Sequence, residues 1–423
     1  MLNFLFTKTP LVFLVQSFWR DEAYSYLLAK KNLLDIVVLT LKDFSPPLYY
    51  FLLHFWIKIF GNSEIALRSL SFIFFWATIY VVFLILNEVF RYEVKKSLIY
   101  LLFFVTNPIL VYFAFEVRMY SLFAFLATLS YYAFLKKNPR LYIISTILGL
   151  YTHYFMILVV VGQLIVARFK QKYAIIAFLP WLAFVAVNKA VNGYAFWIEK
   201  ISPMKFVTFM GELFTGYEKS LGFFDKKIVY FSLAILAVVL FSLIAHLKSK
   251  KDDGKFFRTL FIWGTVIPLF VLVGSFFKPL FLPRYLIFSS VGLCLLMVYA
   301  FEKMPVYVKA FAIAFFIAFS INYQKIEIAK RTKAPMRQTF TEIKNLIKDG
   351  DSVYVLSELD FFTAQYYLDE NGVYVYGKTY EEIPDYIGKV LLREDRIAKS
   401  LPIYPNKAFV VDQWGNYEIV AQY

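Results

Sequence analysis

Acidic residues near the N-terminus lie among aromatic residues, directly after the first apolar stretch of the chain. Asp21 and Glu22 occur in WRDEAYS at residues 19–25, and Asp43 precedes two prolines in DFSPP. A carboxylate at such a position can take a proton from an acceptor hydroxyl that lies within hydrogen-bond distance. Neighbouring helical residues point about 100° apart, so only one of Asp21 and Glu22 can aim at a shared centre. The alternative is a hydrated helix end.

Other polar residues lie at the ends of later apolar stretches. They are Glu116, Arg118, Tyr120, His153, Lys278, Arg284 and Tyr285. An ionisable group costs several kcal/mol at the centre of a bilayer and much less at its surface, so these positions are candidates for a functional site. Arg284 could hold a phosphate with two hydrogen bonds, and Lys278 could add a point charge. The set suggests a cavity that handles a phosphate-bearing lipid headgroup beside a base.

Three of these residues have a second chemical interpretation. Asp43, Glu116 and His153 could bind a divalent metal ion that neutralises a leaving phosphate. Each also has a structural alternative: Asp43 as a cap before a helix, Glu116 as the partner of a surface ion pair, and His153 as a hydrogen-bonded structural group. The sequence contains no Gly-rich phosphate loop, which argues against a nucleotide-sugar donor.

The composition is that of a membrane protein, because 60% of the 423 residues are hydrophobic and 21% are aromatic. Apolar stretches long enough to cross a bilayer as helices recur up to about residue 322. The sequence predicts about eleven crossings. They cover residues 3–19, 66–90, 97–114, 118–135, 141–152, 154–168, 173–191, 228–246, 259–277, 284–301 and 306–322.

Charge predicts the orientation of these spans. The formal charge of +15 comes from short basic clusters between apolar stretches, which favours a topology signal over nucleic-acid binding. With the basic loops in the cytoplasm, the loops at 20–65 and 192–227 face outward, and so do all the candidate site residues. The single cysteine, Cys294, excludes an intramolecular disulfide and a cysteine metal site.

Two segments outside the spans have a recognisable character. Residues 47–61 predict a helix at the outer membrane interface that ends at Gly61, and the loop at 192–225 can hold a further surface helix. From residue 323 the chain reads as a soluble domain, with an amphipathic helix ending at Gly350 and strands in DSVYVLS, GVYVYGK, KAFVVDQ and YEIVAQY. The predicted fold is therefore mainly α, a polytopic membrane domain over 1–322 with a C-terminal extracytoplasmic α/β domain over 323–423.

Five sequence stretches resemble polytopic glycosyltransferases of the GT-C superfamily. They are WRDEAYS, DFSPPLYYFLLHFWIKIFGNSEIALRSLS, FEVRMYSLFAFL, LYTHYF and PRYLIFS. Their order is similar to that in bacterial protein mannosyltransferase-like and aminoarabinose transferase-like enzymes (glycosyltransferase family 39 type). The matches cover most of residues 15–170 and the segment near 284. Ser45 stands where that family commonly has His, which weakens a metal site at this position.

The resemblance implies an inverting transfer of a sugar from a polyprenyl-phosphate carrier to an acceptor hydroxyl on the outer side of the cell membrane. It implies Asp21 as the catalytic base, with Glu22 completing the acidic pair. Asp43 and Glu116 would line the same cavity, as metal ligands in those members that use a metal, and Arg284 would contact the carrier phosphate. The acceptor, whether lipid, glycan or protein, does not follow from it, and nucleic acid is not an expected partner.

Two other functions remain as alternatives. A transporter or flippase for a lipid-linked glycan would use the same charges to line a path, but the sequence has neither the internal repeat nor the midplane charges typical of transporters. A sensor with an outer ligand-binding domain would leave the acids at the membrane boundary without a role. The sequence favours the transferase.

Overall fold

The structure is a computed structural model, and it describes residues 2–43, 45–188, 198, 200–218, 226–249, 254–368 and 372–422. In the first half of the chain the helices are α1 (Leu2–Lys8), α2 (Val12–Val15), α3 (Arg20–Ala29), α4 (Leu33–Lys42), α5 (Leu48–Phe60), α6 (Glu64–Leu84), α7 (Val94–Val105), α8 (Pro108–Phe113), α9 (Tyr120–Leu135), α10 (Pro139–Leu150), α11 (Met156–Val166) and α12 (Gln171–Asn188). The second half adds α13 (Lys205–Thr215), α14 (Lys227–Leu247), α15 (Gly254–Phe261), α16 (Ile267–Gly274), α17 (Ile287–Phe301), α18 (Val306–Lys330), α19 (Met336–Leu346) and α20 (Phe361–Leu368).

The protein is an integral membrane protein, as the composition predicts. Within the described part of the chain, five helical stretches are long and apolar enough to span a bilayer: Glu64–Val89, Lys227–Leu247, Gly254–Gly274, Pro283–Phe301 and Val306–Lys330. Shorter apolar helices accompany them, namely Leu48–Phe60, Tyr120–Leu135, Pro139–Leu150, Met156–Val166 and Gln171–Val187. Turns of π-helix continue α6 over Ile85–Val89 and join α15 to α16 over Ile262–Val266.

Two of the predicted spans are not single helices. The stretch at 3–19 divides into α1 and the four-residue α2, with Pro10 in the break. The stretch at 97–114 divides where Asn107 caps α8 by accepting a hydrogen bond from the Leu110 backbone at 3.2 Å, with Pro108 as the first helical residue. The prediction of one continuous helix was wrong at both places. It relied on apolar length, which continues across both breaks, and did not take account of the proline at each break.

Three helices that the sequence predicts from shorter apolar stretches are confirmed. α10 and α11 are separate helices, and His153 lies in the turn between them. α5 follows Pro47 and ends at Gly61, whose φ of 80° is a left-handed conformation that favours glycine. The location of α5 at the membrane interface stays a prediction.

The segment predicted as an outward loop at 192–225 contains α13 among its described residues. Instead of lying on the surface, α13 buries every residue from Thr208 to Thr215 and packs against α14. Residues 192–197, 199 and 219–225 of this segment lie outside the described residues.

The core of the membrane part is built around α9 and α17. α9 packs against α6, α10 and α17, while α14 also contacts α17. The most apolar window of Pro283–Phe301 is 89% buried, against 22% for Val306–Lys330, so α17 lies in the interior and α18 at the periphery. A Cβ atom on Gly292 of α17 would lie 2.4 Å from the Trp263 ring, so only glycine permits this approach.

The C-terminal sheet has β1 (Ser352–Val355), β2 (Val373–Tyr376), β3 (Ile397–Ala398), β4 (Ala408–Val411) and β5 (Tyr417–Val420). Within the described residues its order is β3-β2-β1-β4-β5, and all neighbouring strands are parallel except β4 and β5. The four predicted strands are confirmed, and β3 was missed because it has only two residues. α18 continues to Lys330, so residue 323, the predicted domain boundary, lies inside this helix.

Candidate active site

The carboxylate of Glu22 is the centre of a buried charged cluster at the start of α3. Trp19 precedes the helix and donates its backbone N–H to Glu22 Oε2 at 2.9 Å, which closes the first turn as a capping interaction. The Val117 backbone N–H lies 3.3 Å from Oε1. Glu22 is fully buried, so these bonds and the cations beside it replace water.

Two cations from distant parts of the chain neutralise Glu22. Arg68 of α6 contacts both carboxylate oxygens, at 2.8 and 2.7 Å, and Lys333, which follows α18, donates to Oε2 at 2.8 Å. Arg68 also donates to the backbone carbonyls of Leu14, Gln16 and Ser17. The segment between the first apolar stretch and α3 is therefore fixed by the same guanidinium that pairs with Glu22.

This environment keeps Glu22 ionised. Burial alone would raise the pKa of its carboxyl, but Arg68 and Lys333 lower that pKa to about 2. A carboxylate with such a low pKa and saturated oxygens is a poor proton acceptor near neutral pH. The carboxylate of Glu22 is thus engaged within the protein, whereas the resemblance implies that it completes an acidic pair with Asp21.

Asp21 has the opposite environment. It is in the first turn of α3, its side chain is 51% exposed, and its Oδ2 lies 3.9 Å from Nη1 of Arg284. Arg284 also forms an ion pair with Glu218, with 3.0 Å between Nη2 and Oε2. Of the two adjacent acids, only Asp21 is accessible to a bound molecule.

Glu218 is a buried acid that is not among the site residues predicted from the sequence. Its side chain is 8% exposed, and within the described residues its Oε1 has no hydrogen-bond partner. It follows Gly216, which ends α13 in a left-handed conformation. The predicted loop at 192–227 contains this residue, but an acid in a polar loop gives no signal that the chain will bury it beside Arg284.

Arg118 is a second cation, besides Arg284, whose charge interacts with Asp21. Its Nη1 lies 3.4 Å from the Ser25 hydroxyl, one helical turn beyond Asp21 on α3. Burial would lower the pKa of Arg118, but Asp21 and nearby tyrosines, including Tyr50, raise it well above its usual value. Arg118 therefore stays charged, and its guanidinium lies 5.9 Å from the Tyr120 ring centroid.

Aromatic rings enclose this side of the site. Tyr285 lies 6.4 Å from Tyr120 and 5.3 Å from His153 between ring centroids, and Phe123 stacks on His153 at 4.7 Å. The Phe155 backbone N–H donates to His153 Nδ1 at 3.1 Å, so the proton of the neutral ring is on Nε2. Burial, with the charge of Arg118, lowers the pKa of His153 to about 3, so the imidazole is neutral at physiological pH.

Asp43 and Glu116 are two further buried acids with different neighbours. Asp43 is buried, and its charge acts on Tyr24 of α3 and on Arg118. Glu116 is buried near Tyr112 and Lys333; burial, with Glu22 nearby, raises the pKa of the Glu116 carboxyl. Lys278 is exposed, and no ion pair links it to Asp21 or Arg284 in the described part of the chain.

The three predicted metal ligands do not fit a shared ion. Among the described residues, no group of three His, Cys, Asp or Glu side chains is arranged to hold a metal. His153 accepts a backbone hydrogen bond at Nδ1 and is stacked by Phe123, while Glu116 is buried near the cation of Lys333. Asp43, Glu116 and His153 thus have separate surroundings.

The C-terminal domain also binds Arg20, the residue that precedes Asp21. Arg20 pairs with Asp360 through two hydrogen bonds, 2.6 Å from Nε to Oδ1 and 2.8 Å from Nη2 to Oδ2. Phe18 stacks on Tyr366 of α20 at 4.3 Å between ring centroids, and a Cβ atom on Gly388 would lie 2.4 Å from Tyr24. Both neighbours of Asp21 are therefore ion-paired to residues that follow the last spanning helix.

The apolar helices and the buried acids and bases beside α3 define a polytopic membrane protein with a charged site. No protein-family model matches the chain, and no curated protein matches it in sequence. The fold is similar to the crystal structure of ArnT from Cupriavidus metallidurans in the apo state, with a TM-score of 0.51 and 12% identity over 95% of this chain and 91% of that chain.

A crystal structure of the same ArnT bound to undecaprenyl phosphate has a TM-score of 0.49 and 12% identity over the same shares of the two chains. ArnT is a GT-C aminoarabinose transferase. At this identity the apo structure establishes the fold alone: the chain has a GT-C-type fold with a small C-terminal sheet, as the sequence predicts.

Replacing Glu22 by Gln should destabilise the protein. The change leaves Arg68 and Lys333 buried without their shared anion, which costs about 3–5 kcal/mol. Thermal unfolding in detergent measures the effect, with Glu342→Gln at an exposed position of α19 as the matched control. An unchanged melting temperature for Glu22→Gln would contradict the role of this ion cluster.

Replacing Asp360 by Asn should loosen the segment around Asp21 without unfolding the chain. Charged hydrogen bonds contribute about 1.5–3 kcal/mol, so amide hydrogen exchange over residues 19–24 should accelerate roughly 10- to 100-fold. Asp395→Asn removes an exposed ion pair with Arg393 and serves as the control. Equal exchange in both variants would show that Arg20 and Asp360 do not restrain α3.

Proposed function

We propose that this protein is a membrane glycosyltransferase that moves a sugar from a polyprenyl-phosphate-linked donor to an acceptor hydroxyl, with inversion, on the extracytoplasmic face. The observation that carries the proposal is the exposed carboxylate of Asp21 beside the guanidinium of Arg284, at 3.9 Å. One group can accept a proton and the other can bind a phosphate, and both belong to a GT-C-type fold. A bound carrier lipid in one ArnT structure is consistent with this donor class.

The proposed reaction is a single displacement at the anomeric carbon of the sugar. Asp21 takes the proton of the acceptor hydroxyl as its oxygen forms the new bond to that carbon. The bond between the anomeric carbon and the phosphate oxygen breaks, and its electron pair leaves with the polyprenyl phosphate. Attack from the face opposite the phosphate inverts the configuration.

Arg284 supports the departure of the phosphate. Its planar guanidinium can donate two hydrogen bonds to phosphate oxygens, whose negative charge increases as the glycosidic bond breaks. Glu218 holds Nη2 of Arg284 at 3.0 Å, which orients the guanidinium before the donor binds. Arg118 adds a second cation whose charge interacts with Asp21.

The distance between Asp21 and Arg284 also requires movement. The acceptor oxygen lies about 2.7 Å from its base and about 3 Å from the carbon it attacks, so an in-line reaction needs a wider gap than 3.9 Å. Because 3.9 Å is too long for a hydrogen bond, little is lost when the two side chains separate. Donor binding is therefore expected to draw Arg284 away from Asp21.

The aromatic rings are suited to the sugar and to the boundary of the membrane. Tyr120, Tyr285 and neutral His153 present flat faces and polar edges beside Arg284 and Arg118. Such residues exclude water from the reacting carbon, where water would compete with the acceptor. We expect these rings to contact the sugar, while Asp43 acts through its charge on Arg118 and Lys278 contributes a more distant charge.

Substituting Asp21 by Asn should leave the protein folded and reduce sugar transfer by at least about 100-fold, since a general base contributes roughly that much. The assay is transfer of radiolabelled sugar from a panel of polyprenyl-phosphate sugars to a panel of acceptors by the purified protein. Asp349→Asn, at an exposed turn, is the matched control. Wild-type turnover with a fully active Asp21→Asn variant would exclude this base, and no turnover by folded wild type would favour the transport alternative.

Two substitutions of Arg284 should show whether donor binding depends on the positive charge alone or also on the planar shape of the guanidinium. They are Arg284→Lys and Arg284→Ala. Lysine keeps a cation beside Glu218 but loses the two-pronged contact, so we expect the KM for donor to rise about tenfold, and more for alanine. Steady-state kinetics at saturating acceptor, with donor concentration varied, gives these values. An unchanged KM in both variants would count against the phosphate contact.

A further inference from the structure

A second polar cavity lies between α3 and the C-terminal domain. Its volume is about 240 Å³. It is lined by Leu27, Lys31, Phe361, Gln365, Leu391, Arg393 and Arg396. It is thus bounded by the far end of the helix that carries Asp21, by α20 and by the segment before β3, and none of its lining residues belongs to the site described above.

The charge of this cavity is positive. Neither Lys31 nor Arg396 forms an ion pair with any residue that the structure describes, while Arg393 pairs with Asp395 at 2.7 Å. A cation after the end of a helix can interact with the helix dipole, which would account for Lys31. That explanation does not apply to Arg393 and Arg396, which reach the cavity from a domain that has more acidic than basic residues.

The mouth of the cavity is close to an apolar surface. α4 begins at Leu33, two residues after Lys31, and exposes Leu34 by 79% and Val38 by 49%. A helix that combines exposed apolar residues with nearby lysines is typical of the membrane interface. The cavity therefore opens near the depth at which lipid headgroups lie.

The size and the chemistry of the lining restrict the ligand. Pockets for whole drug-sized molecules occupy about 300–1,000 Å³, so about 240 Å³ suits a headgroup better than a lipid chain. Two guanidinium groups, an ammonium group and the Gln365 amide offer donors that match phosphate oxygens. Leu27, Phe361 and Leu391 can contact the carbons that follow the phosphate.

We propose that this cavity binds the phosphate of a membrane lipid headgroup, on the same side of the membrane as Asp21. Leu27 follows Asp21 by six residues, a helical rise of about 9 Å, so the cavity is separate from the position where Arg284 meets the carrier phosphate. Two lipids have this chemistry: a phosphate-bearing acceptor and a bulk anionic phospholipid. An acceptor bound here would have its reacting hydroxyl on the order of 10 Å from its phosphate.

The binding test uses radiolabelled dihexanoyl phosphatidic acid in equilibrium dialysis with the purified full chain. All proteins carry Arg284→Ala, so that the carrier site does not contribute. Removing both unpaired charges, with Lys31→Gln and Arg396→Gln, should weaken the affinity at least about tenfold, whereas Lys348→Gln with Lys407→Gln, two exposed lysines, should not. Equal affinities in the two double variants, or equal binding of dihexanoyl phosphatidylcholine, would overturn the proposal.

A second arm distinguishes the two sources and is made with Arg284 intact. Transfer to acceptors with and without a phosphate is compared in nanodiscs of phosphatidylcholine alone and with added phosphatidylglycerol. If the Lys31→Gln, Arg396→Gln variant has a higher KM only for phosphate-bearing acceptors, the ligand of the cavity is the acceptor. If the variant instead loses the response of the wild type to phosphatidylglycerol, the ligand is bulk anionic phospholipid. An inactive wild type would count against the transferase proposal, while the dialysis result would stand independently.

Discussion

A carboxylate without water needs cations and hydrogen-bond donors, and the burial of Glu22 imposes this requirement on four separate parts of the chain. Arg68 comes from α6, Lys333 from the segment after α18, and the backbone donors from Trp19 and Val117. Because removal of any charged member leaves another buried charge uncompensated, these segments must fold together. The register of α3 follows from this cluster, and with it the direction in which Asp21 points.

The same constraint connects the C-terminal domain to the site. Lys333 and Asp360 reach the two neighbours of Asp21 from beyond the last spanning helix, while Tyr366 and Tyr367 contact Phe18 just before α3. A helix of ten residues has little stability of its own, so its position depends on what it packs against. The C-terminal domain thus supplies part of the framework of the site, and the cavity beside Lys31 and Arg396 lies in the same contact region.

Much of the fold could be predicted because it depends on local pattern. Apolar length identified the membrane helices, alternation identified four strands, and Pro47 and Gly61 identified the ends of α5. The breaks at Pro10 and Asn107 were missed, because apolarity over a window does not register a local change of helix axis. The burial of α13 was missed because it depends on packing against α14, which a sequence window does not contain.

The candidate site was predicted in part, and the reason is physical. Asp21, Arg118, Tyr120, His153, Arg284 and Tyr285 come together as expected, because each lies at the same end of a predicted span. Glu218, Lys333 and Asp360 had no such signal, because each is an ordinary charge in a polar or amphipathic stretch until a distant partner buries it. Their pairing depends on tertiary contacts, and the spacing of residues in a single sequence does not indicate those contacts. Arg68 lies inside the predicted span at 66–90, where an ionisable residue is itself a signal that the prediction did not use.

The adjacent acids Asp21 and Glu22 differ in exposure and in the number of their partners, and this difference suits them to different tasks. Glu22 has a pKa near 2 and every oxygen engaged, whereas Asp21 is half exposed and meets Arg284 only at 3.9 Å. A base must stay free to accept a proton and must also be held in place, and one side chain rarely meets both demands. In the proposed reaction these demands fall on different residues: Arg20 and Glu22 are held in ion pairs, and Asp21 between them keeps an accessible carboxylate.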